Sequence, residues 1–282
     1  MQGKEFLFTA QDFAQVRQLI YERAGIALAE GKQEMVYSRL SRRLRALGLE
    51  SFAAYLSHLQ RSDEGPEWEL FINALTTNLT SFFREAHHFP MLAQHAHSSA
   101  TPLQLWCCAA STGEEPYSMA ITLCEAFDSL HPPMRILATD IDTKVLETAA
   151  NGIYLADRVA NLSEQRLRRF FLRGKGPQSG HVRIRPELRA LIDFKPLNLL
   201  AQAWSVKAPF DAIFCRNVMI YFDKPTQRKI LQRFAPLLQP QGLLFAGHSE
   251  NLAFVTDLFS LQEKTVYRLH PDAAQKLRAL TS

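Results

Sequence analysis

Cysteine is scarce in this chain and poorly spaced for ligation. The four residues, Cys107, Cys108, Cys124 and Cys215, form no C-x-x-C pair, and two are neighbours in a strand-like run. That pattern excludes a disulfide framework and gives no support to a zinc site; buried thiols acting as small apolar residues are expected. Segment 87–97 carries four of the nine histidines, but its spacings match no recognised ligand set, so no metal is expected. No apolar run approaches the roughly 20 residues that span a bilayer, and MQGKEFLFTAQDF lacks the basic and apolar blocks of a secretory signal. A cytoplasmic location is expected. Glycine is thin where phosphate sites need it: there is no G-x-G-x-x-G and no G-K-[ST].

What remains is an ordinary globular composition. The chain has 282 residues, 47% of them hydrophobic, enough for one large or two small domains. The formal net charge is only +4, yet residues 158–189 hold nine Lys/Arg against Glu164 and Glu187, a local excess of seven. A positive field confined to one segment favours a discrete acidic partner over uniform coating of nucleic acid.

Residues 1–76 read as helices. Thr9 with Asp12 forms a capping pair, and Phe13, Val16, Leu19 and Ile20 follow at helical spacing until Gly25. A second helix over about 32–47 places Met35, Val36, Leu40, Leu44 and Leu47 on one face and Arg39, Arg42 and Arg43 on the other, stopping at Gly48. Ser51 and Pro66 start two more helices. From about 103, strands alternate with helices. LQLWCCAA, RILATDID, LIDFKPLNLL and FDAIFCRNVMIYF are successive strand candidates, and PQGLLFAGHSEN with SLQEKTVYRLH closes as a strand pair. Such alternation implies a mostly parallel sheet covered by helices on both faces. Between Gly152 and the third strand lies an insertion that breaks the alternation, with FLRGKGPQSGHVRIRPEL as antiparallel strands around a glycine-rich turn.

The stretch AASTGEEPYS (109–118) poses the ligand question. In doubly wound sheets the ligand sits over the first strand–helix turn, and a phosphate there needs positive potential. Here a single Gly113 precedes Glu114 and Glu115, which would repel a pyrophosphate. A phosphate-free adenosyl cation, S-adenosylmethionine (SAM), fits better, with Asp140 at the second strand's end accepting from ribose hydroxyls. The competing reading is that these acids merely cap helices, worth about 0.3–1 kcal/mol each. Asn198 and Leu199 end the third strand, where an amide and an apolar side chain suit adenine. Arg216, Asn217 and Tyr221 lie at the fourth; a salt bridge for Arg216 and core packing for Tyr221 stand as alternatives.

The nucleophile is read by elimination among known chemistries. The fourth strand carries RNVMIY, not the N-P-P-Y of amine methyltransferases, and no Pro-Cys pair exists for cytosine chemistry. A carboxylate nucleophile, with an ordinary pKa of about 4.3, is ionised at neutral pH and needs no general base. Catalysis would then be alignment and exclusion of water.

LTTNLTSFFREAHHF (75–89), AASTGEEPYSMAI (109–121), ATDIDTKVLE (138–147), FDAIFCRNVMIYF (210–222) and LLFAGHSEN (243–251) closely resemble the chemotaxis receptor methyltransferases, the CheR family, from the N-terminal helices to about residue 270. The resemblance implies a Rossmann-like α/β SAM-dependent methyltransferase domain over 77–272 with an inserted small antiparallel β-subdomain at about 154–192. An all-α N-terminal domain over 1–76 would precede it, and a tail over 273–282 would follow. It implies methyl transfer from SAM to glutamates on the cytoplasmic helices of membrane chemoreceptors, yielding glutamyl γ-methyl esters and S-adenosylhomocysteine (SAH).

By the same resemblance, Asn78, Thr80, Arg84, Glu115, Asp140, Asn198, Leu199, Arg216 and Asn217 would contact SAM, with Arg84 and Tyr221 nearest the methyl. Leu79 stands where many relatives have Glu. The hairpin with Gly174, Gly176, Gly180, Arg173, Arg183 and Arg185 resembles a subdomain that docks a receptor's C-terminal peptide by strand addition and carboxylate capture. Arg39, Arg42 and Arg43 resemble a basic helix that meets the receptor bundle. A solvated hairpin and a solvated helix face are the corresponding bland readings. A monomer is expected, reaching the membrane only through the receptor and binding no nucleic acid; a SAM-binding scaffold and a nucleic-acid methyltransferase are the rivals.

Overall fold

The computed structural model describes residues 5–61, 65–99 and 102–273; the expected C-terminal tail lies, from 274 onward, outside the described residues. Helix α1 (Ala10–Ala24) begins with the Thr9–Asp12 reciprocal cap, each side chain taking the other's backbone N–H, and ends where Gly25 turns left-handed. Helix α2 (Gln33–Leu47) stops at Gly48 in the same conformation. Val36, Leu40 and Leu44 of its apolar face are buried, but Met35 is half-buried and Leu47 exposed, so the stripe runs off the core at both ends. Helices α3 (Phe52–Arg61) and α4 (Pro66–Leu75) complete a helical core around Phe13, Ile20, Leu40, Phe52, Tyr55 and Phe71. Each such side chain contributes roughly 1.5–3 kcal/mol on burial.

The basic face of α2 is narrower than its sequence suggests. Arg39 donates to the carbonyls of Ala74 (3.3 Å) and Thr76 (2.5 Å). Arg43 forms a two-pronged pair with Glu67 at 2.9 and 2.7 Å, and the Tyr55 hydroxyl donates to the same carboxylate at 2.9 Å. These partners sit 24 to 37 residues away, and only the fold brings them in. Arg42 stays exposed.

Helix α5 (His88–Ser98) leads into strand β1 (Leu103–Cys107), helix α6 (Glu114–Ala126), strand β2 (Met134–Asp140) and helix α7 (Thr143–Asn151). After the insertion come β6 (Ile192–Pro196), β7 (Phe210–Cys215), α10 (Lys224–Phe234), β8 (Leu238–Ala246), β9 (Phe259–Glu263) and β10 (Val266–Leu269). The sheet order is β6-β2-β1-β7-β8-β10-β9, parallel through β8 and antiparallel at β10 and β9. Side chains alternate across it. Leu105, Cys107, Ala212 and Phe214 pack on the face of α5–α7, while Trp106, Cys108, Ile213 and Cys215 pack on the face of α10. From β1 the chain moves outward to β2 and β6, then returns to lay β7 on the other side. A crevice therefore opens over the carboxyl ends of β1 and β7.

Two strand expectations are corrected, and the closing pair, which forms as β8 with β10, gains a further strand. The third strand ends at Pro196, so Asn198 and Leu199 lie in the loop beyond it. The fourth ends at Cys215; Arg216 lies just beyond it, Asn217 and Val218 form a bend, and Met219–Tyr221 a short helical turn. The closing segment 260–270 is itself a hairpin, β9 with β10, turned at Glu263–Val266.

The insertion contains α8 (Glu164–Phe170), α9 (Pro186–Arg189) and a second sheet of order β3-β5-β4, with β3 Ile153–Leu155, β4 Phe171–Arg173 and β5 His181–Ile184. Much of its charge is neutralised internally: Arg158 pairs with Glu114, Arg166 with Glu125, Arg168 with Glu164 and Arg169 with Asp128. Arg173, Lys175 and Arg183 remain exposed.

Replacing Arg43 by alanine leaves the half-buried Glu67 carboxylate with Tyr55 alone. A destabilisation of about 1.5–3 kcal/mol is expected in urea unfolding. A variant as stable as wild type would return Arg43 to the solvated face.

Candidate active site

A cavity of about 460 Å³ opens over the crevice. Its floor comes from the ends of β1 and β2 and from the first turn of α6, one wall from 216–222, the rim from 76–84, and the roof from 24–35 of the helical region. Asn78, Thr80, Arg84, Glu115, Asp140, Asn198, Leu199, Arg216, Asn217 and Tyr221 all line it. Ala24, Ile26, Ala27, Leu28, Ala29, Lys32 and Met35 were not expected there. All but Lys32 are apolar, and nothing in their composition marks them as a ligand site.

The acidic loop divides its two glutamates. Glu114 is fully buried, takes the Thr112 hydroxyl at 2.6 Å and pairs with Arg158, and is not part of the lining. Glu115 reaches the cavity floor and pairs with Arg216, whose Nη1 donates at 2.5 Å. Burial pushes the Glu115 carboxyl up from its ordinary range, and Arg216 pulls it back down. Gly113 adopts a φ of 98°, and a Cβ there would meet Ala149 at 2.8 Å and the Tyr154 hydroxyl at 2.9 Å. The glycine is therefore required by close helix packing and not by a phosphate.

Arg216 is buried and saturated on one side: its Nη2 donates to the Arg84 carbonyl at 2.5 Å and lies 3.3 Å from Glu85. The salt bridge that competed with a ligand role for Arg216 is present. Its buried Nε has no hydrogen-bond partner, which leaves one donor of the group uncommitted. Asp140 takes N–H bonds from Ser111 (2.8 Å) and Asp142 (2.9 Å), and burial raises its carboxyl to about 6. Asn198 is engaged at both ends, donating to the Arg23 carbonyl at 2.7 Å and accepting from Leu200 N–H at 2.9 Å. It ties the loop to α1. Asn78 donates to Asp142 at 2.8 Å and Thr80 accepts from Arg158 at 3.0 Å, so the rim is held by its own polar groups.

At the mouth, Arg84 is half-buried and donates to the Leu79 carbonyl at 2.9 Å. The Tyr221 hydroxyl stands 3.5 Å from the Thr77 carbonyl, and its ring packs against the helical core. Core packing and exposure of the hydroxyl to the cavity thus coexist in one residue. The histidines of α5 are dispersed: His88 meets Thr265, His95 the Asp211 carbonyl and His97 the Ala93 carbonyl. Among the described residues no group of three or more His, Cys, Asp or Glu is placed to hold a metal, and no helix is long and apolar enough to cross a membrane.

An acid-floored cavity at the switch point of a parallel sheet is the arrangement of a SAM-dependent methyltransferase, and the family comparisons agree. The family description of the CheR methyltransferase SAM-binding domain matches residues 78–268, and that of the CheR all-alpha domain matches residues 11–76. The chain is 56% identical to the chemotaxis protein methyltransferase of Escherichia coli K12, covering 92% of this chain and 91% of that protein. It is 57% identical to the protein of the same name from Salmonella typhimurium, covering 93% and 91%. With chemotaxis protein methyltransferase 2 of Pseudomonas aeruginosa it shares 55% identity over 94% and 95%. The chain belongs to the CheR methyltransferase family.

The cavity fits SAM. Its floor sets two carboxylates, Glu115 and Asp140, beside apolar Ile141, Leu197 and Leu199, matching a cationic, diol-bearing ligand with a flat apolar base.

Because Asp140 is raised to about 6, its charge is lost as pH falls through that value. SAM affinity measured by calorimetry is expected to be flat above about pH 7 and to drop below about pH 6. Asp140→Ala should weaken binding by about 1.5–3 kcal/mol at pH 8 and abolish that drop. An unchanged affinity in the variant excludes Asp140 from binding.

Proposed function

We propose that this chain transfers the methyl group of SAM to glutamate side chains on the cytoplasmic helices of membrane chemoreceptors, forming glutamyl γ-methyl esters and SAH. The observation that carries this reading is the state of the cavity's acids: Glu115 is paired with Arg216 and Asp140 takes two backbone N–H groups, so neither is free to act as a base. The nucleophile must then arrive already ionised, and a glutamate carboxylate does so near neutral pH. The relatives' names supply the chemotactic setting.

Bound in the cavity, SAM supplies an electrophilic methyl on a sulfonium. Asp140 would hold the ribose hydroxyls and Glu115 the cationic end of the ligand. Asn78, Thr80, Asn198 and Asn217 would act largely through the loops they hold, with Leu199 against the adenine. Arg84 and Tyr221 at the mouth would orient the incoming carboxylate, one by charge and one by a hydroxyl hydrogen bond. The roof excludes water while charge is neutralised.

Receptor recognition is assigned to two outer surfaces. Arg173 and Arg183 flank the hairpin; Gly176 and Gly180 turn it at φ of 56° and 85°, and Gly174 leaves room for the Gln178 carbonyl. Register places Ile153 and Leu172 on either side of Arg183, all three exposed. A tail peptide would add as a strand at an open edge of this sheet, β3 or β4, with its carboxylate against Arg173 or Arg183. Arg185 is half-buried, with the Arg168 carbonyl at 3.4 Å, and contributes less. Contact of α2 with a glutamate-rich bundle rests on Arg42, since Arg39 and Arg43 are engaged internally. The same reading divides the chain at 76/77, works as a cytoplasmic monomer and uses no nucleic acid.

Tritiated SAM with receptor-containing membranes should label protein, and mild base should release the counts as methanol. Counts on RNA or DNA alone, or base-stable label, would sink the proposal. Tyr221→Phe keeps the ring packing and loses one hydrogen bond, so kcat is expected to fall about tenfold with KM for SAM unchanged. Charge reversal at Arg173 and Arg183 should weaken a receptor-tail peptide while sparing SAM; equal loss of both would make the insertion structural.

A further inference from the structure

The wall of the cavity is a loop with little reason of its own to hold shape. Residues 216–221 leave β7 through Asn217, whose φ is 58°, a left-handed conformation uncommon outside glycine that asparagine tolerates better than most side chains. The cause lies thirty residues on, after β8. Glu250 is buried, and its carboxylate collects the backbone N–H groups of Asn217 (2.9 Å), Gly247 (2.5 Å) and Met219 (2.8 Å). Burial raises its carboxyl above the ordinary range, and these backbone bonds oppose that shift. Gly247 admits no side chain: a Cβ would meet the Asn217 amide at 2.5 Å, its backbone N at 2.8 Å and Glu250 at 2.8 Å. From the opposite side Glu85 takes Asn217 Nδ2 at 3.3 Å and His248 N–H at 3.1 Å. Neither Gly247 nor Glu250 lines the cavity.

We infer that Gly247 and Glu250 form a carboxylate clamp that positions the 216–221 wall, and through it Arg216, Asn217 and Tyr221, for cofactor binding and transfer. Glu250 is a positioning residue: it lies outside the cavity lining and acts by tying Asn217 and Met219 of the loop to Gly247 beyond β8. Two oxygens serve three donors, so the amide isostere keeps one acceptor and turns an N–H pair toward donors that need an oxygen. The inference rests on the assignment of this cavity to SAM.

The test uses the full chain with Glu250→Gln, Glu250→Ala and Gly247→Ala, compared with Leu56→Ala, a core truncation in α3 outside the cavity lining. SAH affinity is measured by calorimetry below every variant's melting transition, folded fraction by circular dichroism, and kcat and KM for SAM in the methylation assay. Glu250→Gln is expected to lose about tenfold in SAH affinity and to raise KM while remaining fully folded; Glu250→Ala and Gly247→Ala lose more. Leu56→Ala lowers the melting temperature but keeps the affinity. If Glu250→Ala fails to fold, the isostere and the glycine variant carry the result. A folded Glu250→Gln that binds SAH and turns over as wild type overturns the clamp. Wild-type protein that ignores SAH overturns the cavity assignment, and the clamp with it.

Discussion

Arg216 is the charge around which the site is assembled. It stands just past β7 and ties its own loop to two segments with which it shares no local relation: Glu115 in the first turn of α6, and Glu85 with the Arg84 carbonyl beside the rim. A buried ion pair contributes little net stability, since desolvation offsets most of the attraction, but removing one partner leaves the others uncompensated. The value of such a network is geometric. With Arg216 in place, rim, floor and wall can adopt only one mutual arrangement, and the carboxylate that faces the cavity is the one the guanidinium selects.

That selection explains how an acidic loop can exist at all. Two adjacent glutamates at a buried helix start would repel each other and resist desolvation. The fold separates them by giving each its own arginine, Arg158 from the insertion for Glu114 and Arg216 from just past β7 for Glu115. The insertion therefore has a structural hold on the loop as well as an outer face. Its basic surplus, counted along the sequence as one patch, divides into residues that neutralise acids of α6 and α8 or the Asp128 turn and a smaller exposed set at the hairpin.

Much of this architecture was legible where the signal is local. The Thr9–Asp12 cap, the Gly48 stop and the alternation of strands and helices each depend on neighbours within one turn or one strand. Asp140 was legible because a strand end followed by a capped helix fixes where its side chain points. Charged residues read as a face were less so. Arg39 and Arg43 look solvated on a helical wheel, yet their partners are 24 to 37 residues away, and no periodicity reports such a pairing. Asn198 lines the cavity, but the ties its amide makes, to the Arg23 carbonyl of α1 and to Leu200 N–H in its own loop, leave no mark in the local sequence. The three-residue strand β3 is too short to show an alternating pattern.

On the proposed reading, transfer without a general base depends above all on placing the reactants well. That requirement accounts for how its polar groups are used. Most of the side chains in and around the cavity hydrogen-bond to backbone: Arg84 to Leu79, Asp140 to Ser111 and Asp142, Asn198 to Arg23, Glu250 to three residues at once. Backbone partners do not rotate, so each bond removes freedom from a loop that would otherwise wander by more than the tolerance of an in-line transfer. The roof completes the constraint, since Ala27 N–H donates to the Tyr221 carbonyl at 2.8 Å and fastens the helical region to the catalytic wall. A helical domain attached in this way is part of the active site's rigidity. What it contributes to the chemistry passes through that strut and the residues beside it, whereas its core decides only whether the domain is folded.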